Sequence, residues 1–343
     1  MKKIISIVLA CACALAFFGC GPKKPVLHVY MWSDYISPES VESFEKEFNC
    51  KVIIDTFDSN EMMYAKIKAG GSGYDLIQPS SYMAKIMNDQ KMLLPLDKSK
   101  IPNQKYIDKD FLKNNALDKN MDYSMPYMVC YAVVAYDADK IKNLPDTWNV
   151  FSNPEFKKRS TVLNDIRELI GIALKVNGFS FNSTNEAELQ KAKETILKWR
   201  ENVAKFDNEG YKTGIATGEY VLVHGYSGDL AQVLLEKPNL KLMFPKEGLS
   251  ISCDDWAIPA DAKNADLAHA FMNYMAEPKI AVQNMEFSQY DAVNTEARKL
   301  MPEELRNAPA MNIPQEVLNK SEVIMDLGAD NEKYNKIWDE IKM

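Results

Sequence analysis

Histidine is scarce in this chain, and its cysteines show no ligand spacing. Only His28, His224 and His269 occur in 343 residues. They are scattered and read as structural, so no nucleophile–base set points to an enzyme. Of the six cysteines, Cys20, Cys50, Cys130 and Cys253 show no CxxC spacing and no nearby histidine. A zinc site or other metal centre is therefore not expected, and no residue pattern calls for a cofactor. An excess of basic charge is missing too: 41 Lys and Arg stand against 48 Asp and Glu, a net charge of −7. A nucleic-acid binder leans the other way. Beyond the N-terminus no uninterrupted apolar run reaches about 18 residues, which excludes a membrane-spanning helix there.

The N-terminus has a character of its own. Lys2 and Lys3 precede an apolar run from Ile4 to Phe18, followed by Gly19-Cys20 and the polar stretch GPKKP. This is a secretion signal over residues 1–19. The junction Phe17-Phe18-Gly19-Cys20 resembles a bacterial lipoprotein box, with Phe where Leu usually stands. It implies an acylated Cys20 as membrane anchor and a linker over 20–25. Cleavage takes away Lys2, Lys3 and no acid, so the net charge falls from −7 to −9. It also removes Cys11 and Cys13. With Cys20 acylated, three thiols remain, an odd number that excludes complete pairing; buried free thiols are expected. An acidic extracytoplasmic protein suits a cationic ligand.

From Val26 the chain alternates strand-like and helix-like segments. VLHVYMW (26–32), KVIIDTF (51–57) and DLIQP (75–79) read as strands. Helices are predicted over 39–48, capped by Ser37 with Pro38 in the first turn, from Ser59 to Gly70-Gly71, and over 81–89. The run 123–137, interrupted by Pro126, reads as an extended crossing segment. A second set of units follows: a strand over 161–165, a helix closed by Gly178, and a helix opened by the box Ser183-Thr184-Asn185-Glu186. A buried strand over 219–226 comes next, and a return crossing over 250–259. Helices at 264–276, 278–286 and 331–342 complete the pattern. The expected fold is α/β, two hinged lobes: 26–128 plus 257–298, and 129–256 plus 299–343.

Ligands of open α/β sheets bind beyond the carboxyl ends of the strands. Five such ends here carry aromatics or acids: Trp32-Ser33-Asp34-Tyr35, Ser80-Ser81-Tyr82, Asp165 with Glu168, Tyr226 with Asp229, and Asp254-Asp255-Trp256. Each has a plainer alternative. Asp165 fits a helix N-cap with Glu168 as its partner, Asp229 lies near a helix start, Asp254-Asp255 suits a turn, and Trp32 and Tyr35 suit a core. Together they match an aliphatic diammonium ion, which needs a carboxylate at each end and flat aromatic walls along its methylenes.

The stretches YMWSDYISPESVESFEKEFNCKV, DSNEMMYAKIKAGGSGYDLIQPSSYMAKIM, DYSMPY, NDIRELIGIAL and AIPADAKN resemble the polyamine-binding proteins of bacterial ABC transporters, over Val26 to Lys342. The resemblance implies a two-lobed periplasmic binding fold, no catalysis, a monomeric receptor in the periplasm, and delivery of ligand to ABC permease subunits. It places Trp32, Ser33, Asp34, Tyr35, Ser80, Ser81 and Tyr82 on the first lobe's side of the ligand. Asp165 and Glu168 would hold an ammonium, with Tyr226, Asp254 and Tyr290 also in contact. Ser252 and Ile324 replace a Trp and a Gln of the spermidine-binding kind, whereas Asp229 resembles an acid of the putrescine-binding kind. Putrescine is thus favoured over spermidine. Trp256, on the same strand face as Ser252 and Asp254, is a candidate substitute for the missing indole or a core residue. The alternative function is a surface lipoprotein for adhesion or sensing that keeps the binding fold.

Overall fold

The computed structural model describes residues 24–343; the expected signal peptide and Cys20 lie outside them. The first half builds β1 (Val26–Trp32), α1 (Pro38–Glu47), β2 (Lys51–Phe57), α2 (Asn60–Lys68), β3 (Leu76–Ile77), α3 (Ser81–Asp89) and α4 (Lys109–Asn114). β-branched and aromatic residues give β1 its pleat, and its two faces part company. Leu27, Val29 and Met31 enter one core with Phe44, Trp256 and Phe271, while Tyr30 joins Phe57, Met63 and Ile77 on the other side. α2 is capped by the Ser59 hydroxyl, which accepts from Met62 N–H at 3.2 Å. It ends at Gly70 and Gly71, both at positive φ. Ser37 holds the N-cap position of α1 without a side-chain cap bond.

The second half adds β4 (Ser124–Asp137), β5 (Ser160–Val162), α5 (Ile166–Val176), α6 (Glu186–Arg200), β6 (Lys205–Phe206), α7 (Gly210–Thr217), β7 (Leu222–Tyr226), α8 (Ser227–Glu236), β8 (Leu240–Met243) and β9 (Ser250–Ala257). Then come α9 (Ala265–Met275), α10 (Pro278–Ser288), β10 (Asp291–Ala292), α11 (Thr295–Leu300), α12 (Glu303–Arg306), α13 (Gln315–Leu318), β11 (Glu322–Val323) and α14 (Asn331–Lys342).

Strands run in the order β2-β1-β3-β9-β4-β7-β5-β6. β1 pairs in parallel with β2 and β3, and β5 in parallel with β6 and β7. Between these two parallel cores lie the antiparallel β4 and β9. Residues 124–131 of β4 pair with β9, and residues 132–137 pair with β7 and β8. One strand thus serves both halves, and its register shifts between Pro126 and Met128. That shift is how Pro, which has no N–H to give, sits inside a long strand.

Two details differ from the sequence reading. The α6 cap is Asn185, whose side chain accepts from Ala187 and Glu188 N–H; Ser183 instead bonds Glu188 at 2.5 Å. Asp75 lies before β3 and accepts from the backbone N–H groups of His28, Lys263 and Asn264. Cys50, Cys130 and Cys253 are buried free thiols. Among the described residues no helix is long and apolar enough to cross a membrane.

Candidate functional site

The carboxyl ends of the two parallel cores face each other across a cleft of about 700 Å³. Of the residues predicted from sequence, Trp32, Ser33, Tyr35, Ser80, Tyr82, Asp165, Glu168, Tyr226, Asp229, Asp254 and Tyr290 line it.

Asp254 projects into the cleft from β9, next to the point where β4 changes partners. Tyr35 Oη and Ser80 Oγ donate to its two oxygens, each at 2.7 Å. Ser80 is itself held by Asn60 at the start of α2, whose side chain accepts from Ser80 N–H at 3.0 Å and donates to its Oγ at 3.1 Å. The motif Ser59-Asn60 therefore both opens a helix and orients a hydroxyl on the acid. Burial pushes the Asp254 carboxyl up to about 6, while Tyr35, Ser80 and the nearby Trp32 indole favour its charged form. The indole N–H has no partner within hydrogen-bond geometry.

Across the cleft, Asp165 is the N-cap of α5. Its Oδ1 accepts from the N–H groups of Arg167 and Glu168, both at 2.9 Å, and its Oδ2 from Tyr226 Oη at 3.3 Å. Glu168, one turn in, is buried and its Oε2 has no hydrogen-bond partner. Burial first, then the charge of Asp165, push the Glu168 carboxyl up to about 8. Ionising an acid lodged in a cleft wall with a free oxygen costs several kcal/mol unless a positive charge meets it. Asp229, in the first turn of α8, has partners already: Tyr211 Oη at 2.6 Å and Lys212 Nζ at 3.7 Å. Burial raises its pKa, opposed by Lys212.

Aromatic rings make the walls. Trp32 lies 4.4 Å from Phe57, and Tyr35 lies 4.6 Å from Tyr290, centroid to centroid. The Tyr290 ring fits because residue 228 is glycine: a Cβ there would stand 2.3 Å from Tyr290 Cδ2.

Three predicted residues stay out of the lining. Asp34, at φ 53°, turns its carboxylate to Lys212 at 3.0 Å. Ser81 opens α3 and donates to Asp255 at 2.8 Å. Asp255 also accepts from Ser124 Oγ at 2.7 Å, so alternation along β9 sends this acid into the protein and Asp254 into the cleft. Trp256 shares the strand face of Asp254 but is fully buried against Tyr127 and Phe271; it is core.

Sequence reasoning missed Phe57, Asp58, Asn60, Cys130, Asn208 and Glu209, all of which line the cleft. Glu61 was missed as well. Although much of that residue faces solvent, desolvation of its carboxyl and the charge of Asp165 push it up to about 7. Ser252 and Ile324 line the cleft too. Arg167 lines the cleft as well: its guanidinium donates to Met325 O at 2.7 Å and Asn182 Oδ1 at 2.9 Å, and its charge opposes the upward shifts of Glu61, Asp165 and Glu168. It lies between the rings of Tyr82 and Tyr334. His224 is buried, with burial holding its pKa down at about 3, and His269 accepts from Asp97 N–H at 2.9 Å. Among the described residues no His, Cys, Asp and Glu cluster is arranged to hold a metal.

Two α/β halves, crossed by shared strands and enclosing an acid-lined cleft, have the two-lobed architecture of a solute-binding protein. The chain belongs to the bacterial extracellular solute-binding protein family, whose pattern it matches over residues 39–313. It is 34% identical to the putrescine-binding periplasmic protein SpuD of Pseudomonas aeruginosa, over 100% of this chain and 99% of that one. To the spermidine/putrescine-binding periplasmic protein of Escherichia coli it is 33% identical, over 92% and 91%. A solved structure described as a putative spermidine/putrescine ABC transporter from Listeria monocytogenes superposes with a TM-score of 0.87. That structure shares 35% identity and covers 93% of this chain and 99% of its own. The protein is a two-lobed solute-binding protein, not an enzyme.

Proposed function

We propose that the protein captures a polyamine, putrescine in preference to spermidine, and delivers it to an ABC importer from the outer side of the membrane, where an acylated Cys20 anchors it. The relatives' names support the polyamine class and the periplasmic setting. The observation that carries the reading is the opposition of two acid groups across one aromatic-walled cleft: Asp254 on one side, Asp165 and Glu168 on the other, with Glu168 Oε2 buried and unpartnered. A linear diammonium ion would place one nitrogen at each group and its methylenes between the rings. Each charge-assisted hydrogen bond contributes about 1.5–3 kcal/mol, and each good cation–π contact about 0.5–2 kcal/mol.

The preference for the shorter diamine is supported by Ser252 and Ile324, two lining residues that offer no indole and no amide to a longer chain. We assign the lobes as 26–128 with 257–298, and 129–256 with 299–343; β4 exchanges partners between Tyr131 and Ala132, close to the first boundary. Calorimetric titration with putrescine, cadaverine, spermidine and spermine tests the proposal. Tightest binding of putrescine is expected. No binding of any of the four would overturn the polyamine reading, and tighter spermidine binding would overturn the preference.

A further inference from the structure

Lys212 places an ammonium group against Asp229, one of the acids that line the cleft. Its Nζ lies 3.0 Å from Asp34 Oδ2, 3.2 Å from Gln232 Oε1 and 3.7 Å from Asp229 Oδ1. Lys212 stands on α7 and packs with the β7–α8 half of the molecule, together with Asp229 and Gln232. Asp34 follows β1 in the other half. One ammonium therefore serves two carboxylates from opposite sides of the cleft. The Lys212 and Asp229 side chains are only 21% and 16% exposed, whereas Asp34 is 57% exposed.

We infer that Lys212 is a specificity-determining residue: a tethered cation that occupies the Asp229 end of the cleft, limits the free ligand to the remaining acids, and ties the halves together through Asp34. The inference rests on the polyamine reading for its selectivity part and on geometry alone for the tie. Asp229 lines the cleft and would otherwise receive a third ammonium. With Lys212 on one oxygen and Tyr211 on the other, the acid is engaged before any ligand arrives. A diamine loses nothing by this, because Asp254 and Asp165 accept only from hydroxyl and backbone N–H groups, Glu168 Oε2 accepts from none, and no ammonium of the chain is paired with any of the three. A triamine must bury its extra charge beside Lys212, without an acid of its own and against like-charge repulsion.

The test is titration of putrescine and spermidine into the mature protein, Lys212→Met, and Lys212→Met combined with Asp229→Asn. Lys212→Met is expected to raise the spermidine-to-putrescine affinity ratio about tenfold, the worth of one charge-assisted contact. The double variant should return the ratio to near the starting value. An unchanged ratio in Lys212→Met overturns the selectivity role; if that variant does not fold, Lys212→Gln is read in its place by the same criterion. Asp34→Asn separates the tie from the selectivity. It should enlarge the radius of gyration of the ligand-free protein in small-angle scattering while leaving the affinity ratio unchanged, and an unchanged radius overturns the tie. If the unsubstituted protein binds neither amine, the polyamine reading fails together with the selectivity role, and scattering alone judges the tie.

Discussion

Glu168 and Asp229 hold equivalent positions in their helices and have opposite circumstances. Each is the third residue of a helix that starts at the cleft, α5 after Asp165 and α8 after Tyr226. Local sequence gives both the same N-terminal advantage, since an acid in a first turn meets the positive end of the helix dipole. The difference comes from neighbours distant in sequence. α7 delivers Tyr211 and Lys212 to Asp229, whereas no donor reaches Glu168 Oε2. A first-turn acid is thus left engaged or open by what faces it: Asp229 meets a cation of the chain itself, and Glu168 keeps one buried oxygen without a donor.

The sharpest way to break this comparison is at Asp254, which lines the same cleft as both. Asp254→Ala should abolish measurable putrescine binding, a loss of at least about a hundredfold, because one buried charge partner is worth roughly 3–5 kcal/mol. Circular dichroism should show the fold intact, and near-normal affinity in calorimetry would remove Asp254 from its role. Glu168→Gln comes next, with affinity falling roughly tenfold to a hundredfold. The same substitution should stabilise the ligand-free protein. With its pKa raised from 4.5 to about 8, the folded state favours protonated Glu168. That contribution is fully present below pH 4.5 and is lost as pH rises through 8, so the gain in Tm for the Gln variant should open above pH 4.5, grow through pH 8 and level off above it. Asp229→Asn should cost putrescine binding less than Glu168→Gln does; an equal or larger loss would show that the two acids play the same part. A smaller effect is expected from Gly228→Ala. Its Cβ must displace the Tyr290 ring, and overpacking of this kind costs about 1–3 kcal/mol, read as a lowered Tm together with weaker binding.

Much of the frame was legible because it is local. The limits of β1, β2, α3 and α14 follow from side-chain periodicity and from the residues that open and close each element, such as Ser59, Gly70 and Gly178. The five strand ends followed from the same reading, and eleven of the fourteen predicted residues line one cleft. Direction and depth were harder. Period-two alternation separates Asp254 from Asp255, but it cannot tell that Trp256 lies lower on the same face, under Tyr127 and Phe271. Asp34 reads as a ligand contact until Lys212, 178 residues away, claims it. Asn208 and Cys130 enter the lining only because two distant segments meet, and no spacing in the chain announces that. Even Asn60, inside a stretch quoted for its likeness, shows its work only once Ser80 and Asp254 are seen beside it.

The finest test of the contrast is a proton count. At pH 7 the Asp254 carboxyl, at about 6, is mostly ionised, while Glu168, at about 8, is mostly protonated. A diammonium ion binds the ionised form, so occupation of the Glu168 end must expel up to about one proton, and affinity must rise between pH 6 and 8. Titration of putrescine at pH 7 in buffers of different ionisation enthalpy reads that proton directly as a slope in the observed heat. Glu168→Gln should flatten the slope, and Asp229→Asn should leave it, because the Asp229 oxygens already face Lys212 and Tyr211. A slope that survives the Glu168 change but vanishes with Asp229 would exchange the two acids' roles, and with them the end of the cleft at which the ligand sits.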